Sequence, residues 1–141
     1  MSANQKIIEQ RFNAQPKNLK AIRDTLYNSM KTKGFSEECT SDVVLAVDEA
    51  CQNIIRHAYQ FDDSGIIDLG VYLSNNTISV ELIDFADPVD PACCVPKAQK
   101  ELKPGGLGTM FMNKLMDSVE YECPPPKGTG NKLVMKKHNR A

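Results

Sequence analysis

Projected at about 100° per residue, the apolar residues Val43, Val47, Ala50, Cys51, Ile54 and Ala58 fall on one stripe, which predicts an amphipathic helix from about Ser36 to Tyr59. Ser36, followed by Glu38 and Cys39, opens it, and the polar run Asp62-Asp63-Ser64-Gly65 lies beyond its end. The same period recurs earlier in Leu19, Ile22, Leu26 and Met30, with Pro16 suited to a first helical turn and Gly34 to a stop. Ahead of both helices, Gln5 to Asn13 alternate loosely and read as a strand.

Beyond Gly65 the period shortens to two. Ile67, Leu69, Val71 and Leu73 share one strand face, and Ile78, Val80 and Leu82 share another. Asn75-Asn76 between them suits a tight hairpin, because Asn tolerates left-handed backbone. The alternation carries Asp84 onto the apolar face at the strand's end. A carboxylate there is costly unless it has a partner, which leaves two readings: a strand-end turn residue, or an acceptor inside a pocket.

From Phe85 onward periodicity disappears and Pro88, Pro91, Pro96 and Pro104 intervene, so a lid loop is expected at about 86–104. Gly105-Gly106-Leu107-Gly108-Thr109 follows, ahead of a helix expected to turn Leu107, Met110, Phe111 and Leu115 inward. Glycines let backbone approach a ligand, and a helix start offers free N–H groups to phosphate; such a run is by itself a common signal. Strands are expected at Ser118 to Cys123 and from about Asn131 to Lys137, joined by a Pro- and Gly-rich turn. With no internal repeat, residues 1–141 read as a single domain.

Chemistry concentrates on the second helix. Glu49, Asn53 and His57 lie along one flank of its stripe, while Asp48 projects from the other. An Asn amide oxygen is a neutral, hard ligand suited to Mg²⁺, an ion usually completed by water and phosphate rather than by a protein cage. A carboxylate one turn away can take a proton from a hydroxyl nucleophile. A solvated polar helix edge would present the same spacing.

Composition narrows the classes. The chain is 41% hydrophobic and 25% charged, as in globular domains, and its 17 basic and 18 acidic residues leave a net charge of −1. No global field therefore argues for nucleic acid or a membrane surface. The N-terminus is polar and without a signal-peptide core, and a cytoplasmic location is expected. Five cysteines, an odd number without framework spacing, favour reduced thiols. Cys93-Cys94 has no nearby His to complete a zinc set and reads as loop filler.

An Asn-bearing helix, an Asp at a strand end, a variable loop and a Gly-rich helix start occur here in the order used by the GHKL ATPase superfamily. The chain most resembles its anti-sigma-factor branch of serine/threonine-protein kinases. Val47 to Tyr59 is similar to that branch's N-box, and Gly105-Gly106-Leu107-Gly108 with Leu115 to Tyr121 to its second glycine box and following strand. Gly130-Asn131-Lys132-Leu133 is similar too. The resemblance spans about Ile7 to Lys137 and implies a histidine-kinase-like ATPase fold: an α+β two-layer sandwich with helices on one face of a mixed, mostly antiparallel sheet.

It further implies ATP and Mg²⁺ as cofactors, with Asn53 coordinating the metal at the ATP phosphates and Glu49 as base for the attacking hydroxyl. Asp84 would accept from the adenine amino group. Gly105, Gly106 and Gly108, with the amides of Leu107 and Thr109, would line the phosphates. One departure stands out: the superfamily's first glycine box is replaced by Asp84-Phe85-Ala86-Asp87-Pro88-Val89-Asp90-Pro91. Lys97, Lys100 and Lys103 either reach phosphate or are solvated loop charges.

Three functions follow for comparison. The first is a kinase that phosphorylates an anti-sigma-factor antagonist and sequesters a sigma factor; the second is a non-catalytic switch in the same pathway, with nucleotide or an empty pocket tuning partner binding. The Glu49 and Asn53 pair favours the first, because a pure binding module has no chemical need for it; the altered glycine box favours the second. The third, a sensor histidine kinase domain, requires a phosphoacceptor His on an upstream dimerising helix, whereas the only histidines are His57 and His138. By analogy with the family a homodimer is expected.

Overall fold

In a computed structural model, the structure describes residues 5–62, 64–86, 112–121 and 130–139. Strand β1 (Gln5–Asn13) leads through a 3₁₀ turn (Pro16–Asn18) into helix α1 (Leu19–Thr32), followed by α2 (Glu37–Asn53) and a π-helical turn (Ile54–Ala58). Strands β2 (Ile66–Ser74), β3 (Thr77–Asp84), β4 (Ser118–Tyr121) and β5 (Asn131–His138) complete the described elements. The sheet order is β1-β2-β3-β5-β4, and its four pairings are all antiparallel.

The elements form where local chemistry asks for them. Pro16 occupies the first turn before α1, and Gly34, at φ 93°, ends the connection that follows it. The Ser36 hydroxyl caps α2 by accepting the Cys39 amide at 3.1 Å. Asn75, at φ 56°, turns the β2–β3 hairpin, and Ser74 pairs with Thr77 across it. The loose alternation of β1 has a cause: the register slips between Lys6 and Ile8, a β-bulge that absorbs the extra apolar residue Ile7.

One core lies between the helices and one face of the sheet. Leu19, Ile22, Leu26 and Met30 of α1 and Val43, Val47, Ala50 and Cys51 of α2 are buried on it. Ile67, Leu69, Val71, Ile78, Val80, Leu82, Leu133 and Met135 meet them from the sheet. The expected two-layer α+β sandwich is therefore present. Residues 112–115 are helical, and Leu115, expected inward, packs partly buried against the core beside the buried Met112 and Met116, while Leu107, Met110 and Phe111 lie outside the described residues. One detail differs from expectation. The second helix keeps α-helical geometry only to Asn53 and widens before Tyr59.

Candidate functional site

Asn53 is the last residue of α2 before the π-helical turn. Its Oδ1 is buried and has no hydrogen-bond partner. Buried polar atoms are nearly always bonded, because stripping water from an unpaired acceptor costs about 1–3 kcal/mol. Thr40 Oγ1 shares this unpaired condition, and of the two only the Asn53 amide oxygen lies at the end of α2 beside Glu49. Glu49, one turn earlier, is half-buried, and no hydrogen bond or ion pair engages its carboxylate among the described residues.

Asp48, by contrast, is fully committed. It accepts from Arg23 of α1 at 2.9 Å and from the Gln52 side chain at 2.7 Å, so it locks the rotation of α2 against α1. Adjacent carboxylates thereby take separate tasks, one bonded and one left free. His57 lies in the widened turn, where the α-helical phase that aligned it with Glu49 and Asn53 no longer applies; it is exposed.

Asp84 ends β3 on the buried face, 3% exposed. Its Oδ1 accepts from the Asn131 side-chain amide at 2.9 Å and from the Ala86 backbone at 3.1 Å. Burial pushes its carboxyl above the usual value, and these two donors partly oppose that rise. Gly130 closes the other side: its amide bonds the Asp84 carbonyl at 2.9 Å, and a Cβ there would run into the Ala86 carbonyl oxygen. Asp84 is thus a buried acceptor that also makes the strand-end turn contact to Ala86, so it carries features of both readings.

The two regions are joined by Tyr59. Its hydroxyl donates to the Ile66 carbonyl at 2.6 Å and accepts the Phe85 amide at 2.7 Å. Neither Tyr59 nor Asn131 stood out as a site residue in the sequence, since their roles depend on partners distant along the chain. Gly105, Gly106, Leu107, Gly108 and Thr109 lie outside the described residues, as do Lys97, Lys100, Lys103, the Cys93-Cys94 pair and most of the expected lid.

The donor set can be tested against Mg²⁺. Among the described residues no group of three or more His, Cys, Asp or Glu side chains converges on a metal position. A lone neutral oxygen, Asn53 Oδ1, suits Mg²⁺ that retains water and takes its remaining ligands from phosphate. Cys39 and Cys51 are buried thiols, and burial pushes Cys51 up to about 12, away from the reactive thiolate form. No helix among the described residues is long and apolar enough to cross a membrane.

Comparison with known proteins adds to this geometry. The histidine kinase-like ATPase domain family matches residues 12–137. The serine-protein kinase RsbW of Bacillus subtilis (strain 168) is 30% identical over 134 residues, covering 86% of this chain and 81% of the relative. The serine-protein kinase RsbW of Oceanobacillus iheyensis is 29% identical over 130 residues, covering 84% and 80%. A crystal structure of RsbU and RsbW domains from Mycobacterium tuberculosis shares the fold with a TM-score of 0.65 at 15% identity, over 93% of this chain and 31% of that one.

Proposed function

This chain belongs to the histidine kinase-like ATPase family, on its serine-protein kinase branch, and from that membership we propose that it is a Mg²⁺- and ATP-dependent serine/threonine kinase that phosphorylates an anti-sigma-factor antagonist and sequesters a sigma factor. The observation that carries the reading is the buried, unpartnered Oδ1 of Asn53 one helical turn beyond an unengaged Glu49. A binding-only switch would leave Glu49 without a chemical task.

Asn53 would hold Mg²⁺, which when bound supplies neutralisation of phosphate charge. Asp84, kept in place by Asn131 and Ala86, accepts from the adenine amino group. Glu49 takes the proton of the attacking Ser or Thr hydroxyl as its oxygen bonds to the γ-phosphorus and ADP departs. Gly105, Gly106 and Gly108, with the amides of Leu107 and Thr109, would line the phosphates, as the family resemblance implies. The protein works in the cytoplasm as a homodimer.

The test is label transfer from ATP to the antagonist of the same organism, together with ATP calorimetry with and without Mg²⁺. Mg²⁺-dependent binding and one phosphorylated Ser or Thr on the antagonist are expected. Absence of any ATP binding by the folded protein would overturn the kinase reading.

A further inference from the structure

Strands β2 and β3 pair through Ile67 opposite Asp84, so the next rung of the ladder would set Ile66 against Phe85. The Tyr59 hydroxyl stands in that rung. It accepts the Phe85 N–H at 2.7 Å and donates its own O–H to the Ile66 carbonyl at 2.6 Å. A phenol has one donor hydrogen and spare lone pairs, so both needs are met by one group. The relay replaces a direct N–H···O=C bond with a wider span, immediately after Asp84.

The ring is held for this task. It lies over Gly65, where a Cβ would come within 2.6 Å of the ring atoms. The Tyr59 amide bonds the Ile54 carbonyl at 3.0 Å, which ties the residue to the turn that begins directly after Asn53. Tyr59 therefore links the two segments, through its backbone amide to the turn after Asn53 and through its hydroxyl to the residue after Asp84.

We propose that Tyr59 is a positioning residue for nucleotide selection: its hydroxyl sets the end of α2, bearing Asn53, against Asp84, so that the phosphate and base ends of one adenine nucleotide are met together. The inference rests on the nucleotide reading above. Its mark is base discrimination. A nucleotide correctly placed at its phosphates brings its 6-amino group to Asp84, whereas inosine triphosphate offers an oxygen there and gains nothing from the alignment.

The experiment measures dissociation constants of ATP and inosine triphosphate, with Mg²⁺, for the wild type, Tyr59→Phe and Gly65→Ala, alongside amide exchange at Phe85 in the wild type. Tyr59→Phe keeps the ring and removes the relay; Gly65→Ala keeps the hydroxyl and displaces the ring. The wild type is expected to prefer ATP and to protect the Phe85 amide. Both variants are expected to lose most of that preference, with ATP binding roughly tenfold weaker in Tyr59→Phe and inosine triphosphate binding little changed. A merely structural tyrosine would lower the melting temperature without moving the ratio. An unchanged ratio in either folded variant, or a fast-exchanging Phe85 amide, overturns the proposal. A folded wild type that binds neither nucleotide overturns the nucleotide reading and this inference with it.

Discussion

The side-chain amide of Asn131 donates to Asp84 Oδ1 at 2.9 Å, where the two residues face each other across β3 and β5. Ala86 supplies a second donor to the same oxygen. Both bonds fall on Oδ1, so Oδ2 has no partner among the described residues. The buried carboxylate is thus anchored through one oxygen.

Asp84→Asn separates what this arrangement costs from what it does. A carboxyl whose pKa is raised on folding binds its proton more tightly in the folded state, so stability is favoured at low pH and falls as pH rises from the unfolded pKa through the folded one. Above its folded pKa, ionised Asp84 therefore destabilises the fold. Asparagine keeps the Oδ1 acceptor for Asn131 and Ala86 without the charge. The variant is expected to melt higher than the wild type at neutral pH, with the gap closing in acid. Its ATP affinity is expected to fall by at least about tenfold, the weight of one hydrogen bond to a charged acceptor. Melts across pH and calorimetry check both arms.

Asn53→Ala is expected to abolish Mg²⁺-dependent ATP binding without unfolding the protein. Its Oδ1 makes no internal bond, so no internal partner is stranded when it is removed. Relief of a desolvated acceptor, about 1–3 kcal/mol, offsets the small void left behind. A melting temperature within a few degrees of wild type is expected, since about 1 kcal/mol moves a domain of this size by only some degrees. Loss of the fold would instead make Asn53 a structural residue.

The residues that could be read from sequence are those whose environment is set by near neighbours. Ser36 caps α2, Asn75 turns the hairpin, and strict alternation through Ile78, Val80 and Leu82 does deliver Asp84 to the buried face. What stayed hidden depends on register between distant segments. Asn131 reaches Asp84 across 47 positions, and Tyr59 meets Phe85 across 26. The π-helical turn has no residue signature, so a constant helical period carried His57 onto a flank that the widened turn does not keep. Lys137 shows the converse limit, a charged residue on the inner face, where a polar/apolar pattern expects none.

Glu49→Gln tests the chemistry alone. Its carboxylate has no partner among the described residues, so the amide costs little stability. ATP affinity is expected to stay within about twofold of wild type, because no binding contact is removed. Phosphotransfer to the antagonist is expected to drop by about 10²–10⁴, the usual contribution of a positioned general base. Retained turnover would remove Glu49 from the role of base and leave it as a polar helix edge.

Lys137 makes the last prediction. Its side chain is 11% exposed at the end of β5, donates to the Leu115 carbonyl at 2.5 Å and pairs with Asp42 of α2 at 3.5 Å. Three elements meet at one ammonium: the sheet, α2, and the end of the helical segment 112–115. Lys137→Met keeps an apolar stem and strands both acceptors, so a loss of about 1–3 kcal/mol in unfolding free energy is expected. Adding Asp42→Asn removes the stranded charge and is expected to recover part of that loss, a coupling that a double-mutant cycle reads directly. Residues 112–115 follow closely in sequence on Gly105 to Thr109, which the proposed function assigns to the ATP phosphates. The KM for ATP is expected to rise with kcat retained. A single variant that lost stability without any change in KM would confine Lys137 to holding the layers together.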